Sequence, residues 1–408
     1  MASRANSRRV LPSARHRLNR SEDKLTKRKI CIVVGSRANY SSIKAVMRAV
    51  NAHPDLELQL VAGASAVLDR YGAVVDIMER DGFTVMAKLY MLVEGETPAT
   101  MAKSTGLGLI EMPTIFETLK PDVVLTVGDR FETMATTLAA AYMNIPLAHT
   151  MGGEVSGNID ENIRHAITKF ATIHFPACED AQQRIIKLGE RPDTVHNVGC
   201  PRMDLVADIL GKTSNVSASL FGEGVGASFD LTGDFLLVSQ HPVTGEYGRG
   251  EAQIEATLLA CLDVGMPAVV LWPNADAGSE DVSRGIRKFR ERHPNAPFHY
   301  VKNLPPEVYM PLMDMTRCLI GNSSSAIREG AFIGTPAVNI GSRQTARQRG
   351  ANVIDAGYTR EEIAAAIRNR LEAGKFESDP IYGDGHAGPR IADLLATAEF
   401  DLNKVITY

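Results

Sequence analysis

The sequence predicts an α/β protein with two Rossmann-like domains that face a central cleft, and three observations support this prediction. Short, almost wholly apolar runs such as 30–34 and 123–127 alternate with helical patterns, which is typical of parallel strands joined by crossover helices. The alternation stops near residue 200 and restarts at residue 235. The chain has 408 residues, which is enough for two ordinary domains.

We expect the chain to divide into four parts. Residues 1–28 are rich in Arg, Ser and Lys and predict a disordered basic tail, although a targeting peptide or an arm for nucleic acid or a membrane surface stays open. Residues 29–205 form the first Rossmann-like domain, 206–385 the second, and 386–408 a closing helix. The stretch 200–234 contains few apolar runs and is interpreted as the inter-domain connection and a loop.

The composition excludes several classes of function. The net charge of −4 gives no electrostatic reason to expect binding to nucleic acid. No apolar run approaches the roughly 18 residues of a membrane span. The five cysteines form no CxxC pair, and no HExxH or DxDxDG pattern is present, so we expect no metal and no cofactor. Scattered cysteines without a secretory signal predict a reduced, cytoplasmic protein.

The chemistry of the chain is concentrated in residues 149–169. A glycine pair, Gly152 and Gly153, permits close backbone approach and is followed at once by Glu154. A helix predicted from about residue 159 carries Asp160 in its first turn and His165 one turn later. A loop with carboxylates beside a helix N-terminus suits the binding of an anion and the transfer of a proton next to it.

Further polar side chains follow other predicted strands of the first half. Arg37 and Ser41 come after the strand at 30–34, where phosphate oxygens are commonly held, although an ordinary turn with an exposed arginine is an open alternative. Asp129 and Arg130 come directly after the strand at 123–127. Ligands in open α/β sheets bind beyond the carboxyl ends of the strands, so we expect these residues to lie near Glu154.

In the second half, a Gly-Asn-Ser-Ser-Ser turn offers the hydroxyls of Ser323 and Ser324, backbone N–H groups and a helix dipole. Such a turn can hold a diphosphate without a metal. We expect Glu329, one turn further along, to accept hydrogen bonds from ribose hydroxyls, and Arg343 from the next strand end to add positive charge. A serine-rich surface turn is the alternative for this stretch.

Two more turns of the second half carry candidate residues. His241 follows the strand at 235–239 and suits a general acid for a leaving phosphate, or a hydrogen-bond donor to it. Asn274 and Asp276 form another polar turn after the next strand. A Ser-His-Asp triad is not indicated, because the sequence contains no GxSxG elbow.

Taken together, eight stretches resemble the hydrolysing UDP-N-acetylglucosamine 2-epimerases, in the same order and from about residue 29 to residue 395. Eight ordered motifs are far more specific than any one of them. The stretches are GSRANYS, GDRFE, GGEVSGNIDENIRHAITK, GCPRMD, QHPVTGEYG, WPNADAGS, GNSSSAIREGAFIGTP and GSRQTARQRGANV.

The resemblance implies the two-domain architecture of the GT-B glycosyltransferases, with the second domain binding nucleotide. Members of the family release UDP and convert the sugar to its 2-epimer, typically N-acetylmannosamine. Some relatives act on 2,4-diacetamido-trideoxy sugars, and both routes feed sialic or legionaminic acid synthesis.

In the reaction that the resemblance implies, a base removes the C2 proton while UDP leaves C1, which gives a glycal. Water then adds at C1 and a proton returns to the other face of C2, so at least two proton-transfer groups are needed.

The resemblance also assigns roles to residues by motif position. Asp129, Asp160 and His241 are expected to be catalytic, and we add Glu154 as a fourth candidate. His165, Asn274 and Asp276 are expected to contact the substrate. The residues expected to hold UDP are Arg37, Ser41, Arg130, Ser323, Ser324, Glu329 and Arg343.

One departure concerns Met151, because many relatives carry a catalytic glutamate at this position, three residues before the glutamate of GGE. Either Glu154 takes that role, or the substrate or the proton route differs. The substitution places a diacetamido-trideoxy sugar near parity with UDP-N-acetylglucosamine as the expected substrate.

Other interpretations of the sequence stay open. A non-hydrolysing 2-epimerase would keep UDP attached, and the VSGNIDE loop argues against it. A glycosyltransferase would need an acceptor, and a nucleotide-sugar sensor would leave the C2 proton unexchanged. The resemblance further implies a homodimer or tetramer.

Overall fold

The computed structural model describes residues 27–69, 73–94, 97–155, 159–210, 216–273, 278–302 and 304–407. The predicted basic tail therefore lies outside the described residues, apart from its last two positions. Among the helices that are described, none is both long enough and apolar enough to cross a membrane.

The first half of the chain forms a six-stranded parallel sheet in the order β3-β2-β1-β4-β5-β6. This is the strand order of a Rossmann fold, which changes direction between β1 and β4. The strands are β1 (Arg28–Val34), β2 (Leu56–Gly63), β3 (Val85–Leu89), β4 (Val123–Val127), β5 (Leu147–Thr150) and β6 (Ile173–Phe175).

The second half forms a seven-stranded sheet in the order β13-β12-β11-β8-β9-β10-β7. Its six parallel strands repeat the order of the first sheet, and β7 adds an antiparallel edge next to β10. The strands are β7 (Val225–Gly226), β8 (Leu236–Ser239), β9 (Ala268–Leu271), β10 (Phe298–Val301), β11 (Cys318–Gly321), β12 (Ala337–Ile340) and β13 (Val353–Ala356).

Helices cover both sheets. Those that accompany the first sheet are α1 (Arg37–Ala52), α2 (Val74–Arg80), α3 (Pro98–Leu119), α4 (Phe131–Tyr142), α5 (Ile159–Phe170) and α6 (Glu179–Lys187). The remaining helices are α7 (Pro201–Leu210), α8 (Val216–Gly222), α9 (Gly250–Val264), α10 (Ser279–Arg292), α11 (Pro306–Met315), α12 (Glu329–Ile333), α13 (Arg360–Ala373) and α14 (Ala387–Thr397).

The central strands are buried on both faces, which explains why they read as continuous apolar runs. In β1, Ile30 and Ile32 join the core on one face of the first sheet, whereas Cys31 joins the core on the other face. The same alternation places Leu236 and Leu237 of β8 in two different cores. Each sheet is therefore the middle layer of a three-layer unit.

The region between the two sheets is more ordered than the sequence indicates. Residues 200–234 contain α7, α8 and β7, so the prediction of a connection and loop was wrong for this part. The division expected between residues 205 and 206 falls inside α7. Met203 and Val206 of this helix pack in the same apolar core as Leu237 of the second sheet.

The last helix, α14, returns from the second sheet to the first. Its residues Ile391 and Leu395 are fully buried in the core of the first sheet. Asp204 of α7 accepts hydrogen bonds of 2.9 Å and 2.7 Å from the backbone N–H groups of Ala387 and Gly388 at the start of α14. The helix ends at Thr397, so residues 398–407 do not continue the helix expected for 386–408.

A fully buried histidine joins two adjacent strand ends of the first sheet. His149 Nε2 lies 2.9 Å from the carbonyl oxygen of Gly128, and its Nδ1 lies 3.3 Å from the hydroxyl of Thr168. Burial lowers the pKa of His149 to about 3. The ring is therefore neutral in the folded protein over the whole physiological range of pH.

We expect the protein to lose stability as the pH falls below 6.5, the ordinary pKa of histidine. The unfolded chain binds a proton at His149 there, whereas the folded chain does not, so His149 alone costs about 2 kcal/mol at pH 5 relative to neutral pH. Denaturant unfolding at pH 7.5, 6 and 5 measures this loss. The His149→Gln variant should show a shallower decline, and an unchanged slope would contradict the assignment.

Candidate active site

The turn after β1 leads into a capped helix, α1. The Ser36 hydroxyl accepts a hydrogen bond of 3.2 Å from the backbone N–H of Asn39 and thereby caps α1. Arg37 is the first residue of this helix and is exposed. The hydroxyl of Ser41, one turn later, donates to the carbonyl of Ala38 at 3.0 Å. The predicted pair of anion-binding residues thus lies at a helix N-terminus.

The turn after β4 brings together four charged groups. Arg130 Nε lies 2.9 Å from Oε1 of Glu132, which is buried, and burial raises the pKa of the Glu132 carboxyl. The charge of Glu132 raises the pKa of Arg130, and the carboxylates of Asp160 and Asp129 add to this effect. Three predicted site residues, Asp129, Arg130 and Asp160, therefore interact electrostatically. Glu132, which was not among the predicted site residues, holds the Arg130 side chain.

Glycine is required where the chain leaves β5. A Cβ atom on Gly153, which has a φ of +76°, would lie 2.3 Å from the carbonyl oxygen of Ala181. A Cβ atom on Gly152 would lie 2.9 Å from Nδ1 of His149. The close backbone approach expected of this pair is thus present. Met151 adopts a φ of +60°, a conformation that few residues other than glycine adopt.

Arg164 of α5 ties this turn to the turn after β4. Its side chain is almost fully buried; Nη2 contacts Oδ2 of Asp129, and Nη1 donates to the backbone carbonyl of Glu154. The arginine therefore fixes one carboxylate oxygen of Asp129. Arg164 was not among the predicted site residues, although its place one turn after Asp160 is a signal for it.

Glu154 is held by cations from the second half of the chain. Its Oε2 forms an ion pair with Nη2 of Arg328, and Nη2 of Arg347 lies 3.9 Å from the same oxygen. Only 7% of Glu154 is exposed, and its Oε1 has no hydrogen-bond partner among the described residues. The catalytic role expected for Glu154 stays a prediction, and its surroundings favour a structural role.

The Arg328 side chain that receives Glu154 is itself enclosed by protein. Its Nη1 lies 3.8 Å from Sγ of Cys200, and its guanidinium lies 5.5 Å from the ring centroid of Tyr382. Arg328 follows β11, whereas Glu154 follows β5. The ion pair therefore brings the carboxyl end of one sheet against the carboxyl end of the other, which is the cleft that the sequence predicts.

His165 occupies the edge of α5. Its Nε2 lies 3.6 Å from Oε1 of Glu161, and burial lowers the pKa of the imidazole. About a quarter of the side chain is exposed. The substrate contact expected of His165 stays a prediction. In the structure, the neighbour of its imidazole is Glu161.

On the second sheet, His241 is fixed by Asn322. The backbone N–H of His241 donates to Oδ1 of Asn322 at 2.7 Å, and Nδ2 of Asn322 donates back to the His241 carbonyl at 2.9 Å. Arg343 Nη1 donates to the Asn322 carbonyl at 3.2 Å. Two residues predicted from separate motifs, His241 and Arg343, are thus joined through one asparagine that was not predicted.

The protonation state of His241 follows from this environment. Burial, together with the positive charge of Arg343, lowers the pKa of His241 to about 3. The imidazole is therefore neutral near pH 7, and a neutral imidazole has one N–H group that can donate a hydrogen bond. Of the two roles expected for His241, burial and the charge of Arg343 favour the neutral hydrogen-bond donor over the charged general acid in the protein without a bound anion.

The serine-rich turn and Glu329 lie beside this group. The Ser323 hydroxyl accepts a hydrogen bond of 3.3 Å from the backbone N–H of Ser325 and caps a short 3₁₀ turn that begins at Ser324. Glu329 is 1% exposed, and its Oε1 lies 2.7 Å from Nε of Arg202. A ribose hydroxyl that donates a hydrogen bond to Glu329 would share the carboxylate with Arg202, which was not among the predicted site residues.

Two predicted residues, Asn274 and Asp276, lie outside the described residues. Within the described part of the chain, no group of three or more His, Cys, Asp or Glu side chains is placed to hold a metal ion. The described site thus combines carboxylates and arginines of the first sheet with a neutral histidine, serines and an arginine of the second. This set can bind an anionic leaving group and move protons beside it.

Comparison with known sequences identifies a family. The chain matches the family described as UDP-N-acetylglucosamine 2-epimerase over residues 48–396. It is 33% identical, over 93% of its length and 100% of the relative, to a hydrolysing UDP-N,N'-diacetylbacillosamine 2-epimerase of Legionella pneumophila. It is 31% identical, over 87% of its length and 90% of the relative, to a hydrolysing GDP/UDP-N,N'-diacetylbacillosamine 2-epimerase of Campylobacter jejuni.

Comparison with solved structures confirms the predicted architecture of two Rossmann-like units of the GT-B type. The UDP-GlcNAc 2-epimerase of Neisseria meningitidis bound to UDP-GlcNAc matches with a TM-score of 0.76 at 17% identity, over 91% of this chain and 100% of that one. The enzyme of Methanocaldococcus jannaschii matches with a TM-score of 0.72 at 17% identity, over the same shares. At this identity, the likeness establishes the fold.

We expect the imidazole of His241 to stay neutral down to pH 5, because burial and Arg343 both oppose its protonation. Histidine ¹⁵N signals, recorded by NMR between pH 8 and pH 5 and assigned with the His241→Asn variant, measure this directly. The exposed His386 provides an internal comparison. A titration midpoint of His241 near 6.5 would contradict the described environment.

Proposed function

This chain belongs to the UDP-N-acetylglucosamine 2-epimerase family, and we propose that it is a hydrolysing UDP-sugar 2-epimerase. It releases UDP and a 2-epimerised N-acetylated sugar, by way of a glycal. The observation that carries the proposal is the position of Asp129, whose carboxylate Arg164 joins to the turn of Glu154, at the cleft where the ends of the two sheets meet. The names of the Legionella and Campylobacter relatives support the hydrolysing reaction.

The first step breaks the C2–H bond and the C1–O bond to UDP, and forms a double bond between C1 and C2. In our proposal, the UDP diphosphate lies between the two sheets. Arg130 reaches it from the first sheet, and Ser323, Arg343 and the neutral imidazole of His241 reach it from the second. Positive charge and fixed hydrogen-bond donors stabilise the departing diphosphate and thereby lower the barrier for removal of the weakly acidic C2 proton.

We assign the two proton transfers at C2 to Asp129 and Asp160. Arg164 fixes one oxygen of Asp129, which leaves the other oxygen to accept or return a proton. In the second step, a proton returns to C2 on the opposite face as the double bond between C1 and C2 is lost, and the oxygen of water bonds to C1. The O–H bond of that water breaks, and its proton restores the carboxyl group that protonated C2. Two carboxylates are needed because one group cannot serve both faces of the ring.

The turn that carries Met151 and Glu154 bears on the substrate. Met151 packs against the apolar cores of both halves, so the position expected to hold a carboxylate is apolar here. Glu154 is neutralised by Arg328. A less acidic pocket is compatible with a 2,4-diacetamido-trideoxy sugar, and the relatives named for diacetylbacillosamine support this substrate. We therefore propose it beside UDP-N-acetylglucosamine, with a place in sialic or legionaminic acid synthesis.

The homodimer or tetramer stays a proposal. Large apolar side chains are exposed on helices of the first half, with Ile110 of α3 at 69% and Tyr142 of α4 at 79%. Exposed apolar side chains of this size are compatible with an interface between two copies of the chain.

Proton NMR in D₂O tests the proposed function. The purified protein is given UDP-N-acetylglucosamine or, in parallel, the UDP-linked 2,4-diacetamido-2,4,6-trideoxyglucose. We expect UDP release together with a 2-epimer that carries deuterium at C2, because the returning proton comes from solvent. The sugar that reacts identifies the substrate.

The Asp129→Asn variant should bind UDP with wild-type affinity and lose at least about 100-fold in kcat, the effect of removing a proton-transfer group. The matched control is Asp263→Asn, since Asp263 pairs with Arg360 at an exposed site that the mechanism does not use. If neither sugar gave UDP or C2 exchange with the wild-type protein, the epimerase would be refuted and the glycosyltransferase or the sensor would remain.

A further inference from the structure

The end of the chain forms a strap on the first sheet, which we define as residues 398–407. Near its start, Nη1 of Arg28 donates to the carbonyl oxygens of Leu395 at 2.5 Å and Ala398 at 3.0 Å. The same guanidinium lies 5.4 Å from the ring centroid of Phe400. At its far end, the backbone N–H of Thr407 donates to a backbone carbonyl of the first half at 3.0 Å. The strap is therefore attached at both ends.

Between these attachments, Lys404 reaches the C-terminal end of α5. Its Nζ lies 2.9 Å from the carbonyl oxygen of Lys169, 2.5 Å from that of Ala171 and 3.4 Å from that of Thr168. The last carbonyls of a helix lack intrahelical partners, and the helix dipole favours a cation there. Lys404 thus supplies a C-terminal cap from a distant part of the chain.

A buried carboxylate holds Lys404 in this place. Glu190 is 2% exposed, and its Oε2 lies 2.6 Å from Nζ of Lys404. It also accepts from Nζ of Lys169 at 2.5 Å and lies 3.1 Å from Nε2 of His174. Although burial opposes ionisation, the hydrogen bonds from these three residues lower the pKa of Glu190 to about 2. The carboxylate therefore stays charged at neutral pH.

The helix that the strap caps, α5, carries Asp160 and Arg164 of the candidate site. The 12 residues of α5 place Asp160 and Arg164 towards its N-terminal end. At 1.5 Å per residue, Lys404 lies roughly 15 Å along the axis from Asp160, so it does not touch a substrate bound there. A rigid helix fixed at one end has little freedom to rotate or slide at the other. The contact of Arg164 with Asp129 depends on that position.

We propose that Lys404 is a positioning residue for the proton-transfer groups, and that the strap sets the axial position and rotation of α5. This inference rests on the proposed function. In this arrangement, proton transfer depends on the strap, because Asp160 and Arg164 move with α5. Nucleotide binding depends on it much less, because Ser323, His241 and Arg343 belong to the second half of the chain. Arg130, the nucleotide contact from the first half, is held by Glu132 of α4 rather than by α5.

Three variants test the role of Lys404. Lys404→Met keeps the length of the side chain and removes its charge and donors, whereas Lys404→Arg keeps a cation with several donors. Lys375→Met is the matched control, because Lys375 pairs with Asp314 at an exposed site away from α5. The readouts are kcat and KM for the UDP-sugar, the Kd of UDP by calorimetry, and hydrogen exchange of the α5 amides.

For Lys404→Met we expect kcat to fall by about tenfold or more, as a small displacement of catalytic groups does, while KM and the Kd of UDP change less than about twofold. The α5 amides should exchange faster, with exchange in the second sheet unchanged. Lys404→Arg should restore most of kcat and the slow exchange, and Lys375→Met should match the wild type.

The proposal would be overturned if the α5 amides of Lys404→Met exchanged at the wild-type rate, or if exchange rose equally throughout the chain. It would also be overturned if kcat stayed unchanged in an active enzyme. An inactive wild-type protein would refute the proposed function instead. In that case the exchange comparison alone decides whether the strap positions α5.

Discussion

The structure depends on one buried ion pair, between Glu154 and Arg328, which joins the turn after β5 to the turn after β11. Both side chains are almost fully buried, so each loses most of its hydration in the folded protein. The attraction within a buried pair offsets the cost of removing both charges from water only when the geometry of the pair is good. Removal of one partner leaves an uncompensated charge in the interior. The two sheets are therefore fixed relative to one another where their carboxyl ends meet.

The candidate site is arranged around that junction. Arg164 donates to the backbone of Glu154 and also contacts Asp129, so the position of Asp129, the proton-transfer group in our proposal, follows from the position of the junction. Met151 lies three residues before Glu154, with a left-handed backbone, and packs against the cores of both halves. The position at which the family resemblance led us to expect a catalytic carboxylate is part of the contact between the two halves of the chain.

Much of this site follows from the sequence by one rule, that ligands bind beyond the carboxyl ends of parallel strands. The rule predicts that Asp129 and Arg130 lie near Glu154, and in the structure Arg164 joins the Asp129 carboxylate to the backbone of Glu154. The apolar runs likewise predict β1 and β4, because strands buried on both faces need apolar residues at every position.

Other features are absent from local sequence patterns. The partner of Glu154 lies 174 residues away, and only the packing of two sheets brings the pair together. The neutral state of His241 results from burial, and burial is a property of the whole fold. The helices α7 and α8 lie in a stretch that looks like a connection, since α8 has only 7 residues and local periodicity is weak over so few positions.

A double-mutant cycle between Glu154 and Arg328 measures whether this ion pair holds the two sheets together. The free energy of unfolding is measured for the wild type, Glu154→Gln, Arg328→Met and the double variant. We predict a loss of about 3 kcal/mol for each single variant. For the double variant, we predict a loss smaller than the sum by at least about 2 kcal/mol. A structural role for Glu154 would be contradicted by two results together. The losses of the two single variants would add up to that of the double variant within about 0.5 kcal/mol, and Glu154→Gln would be as stable as the wild type.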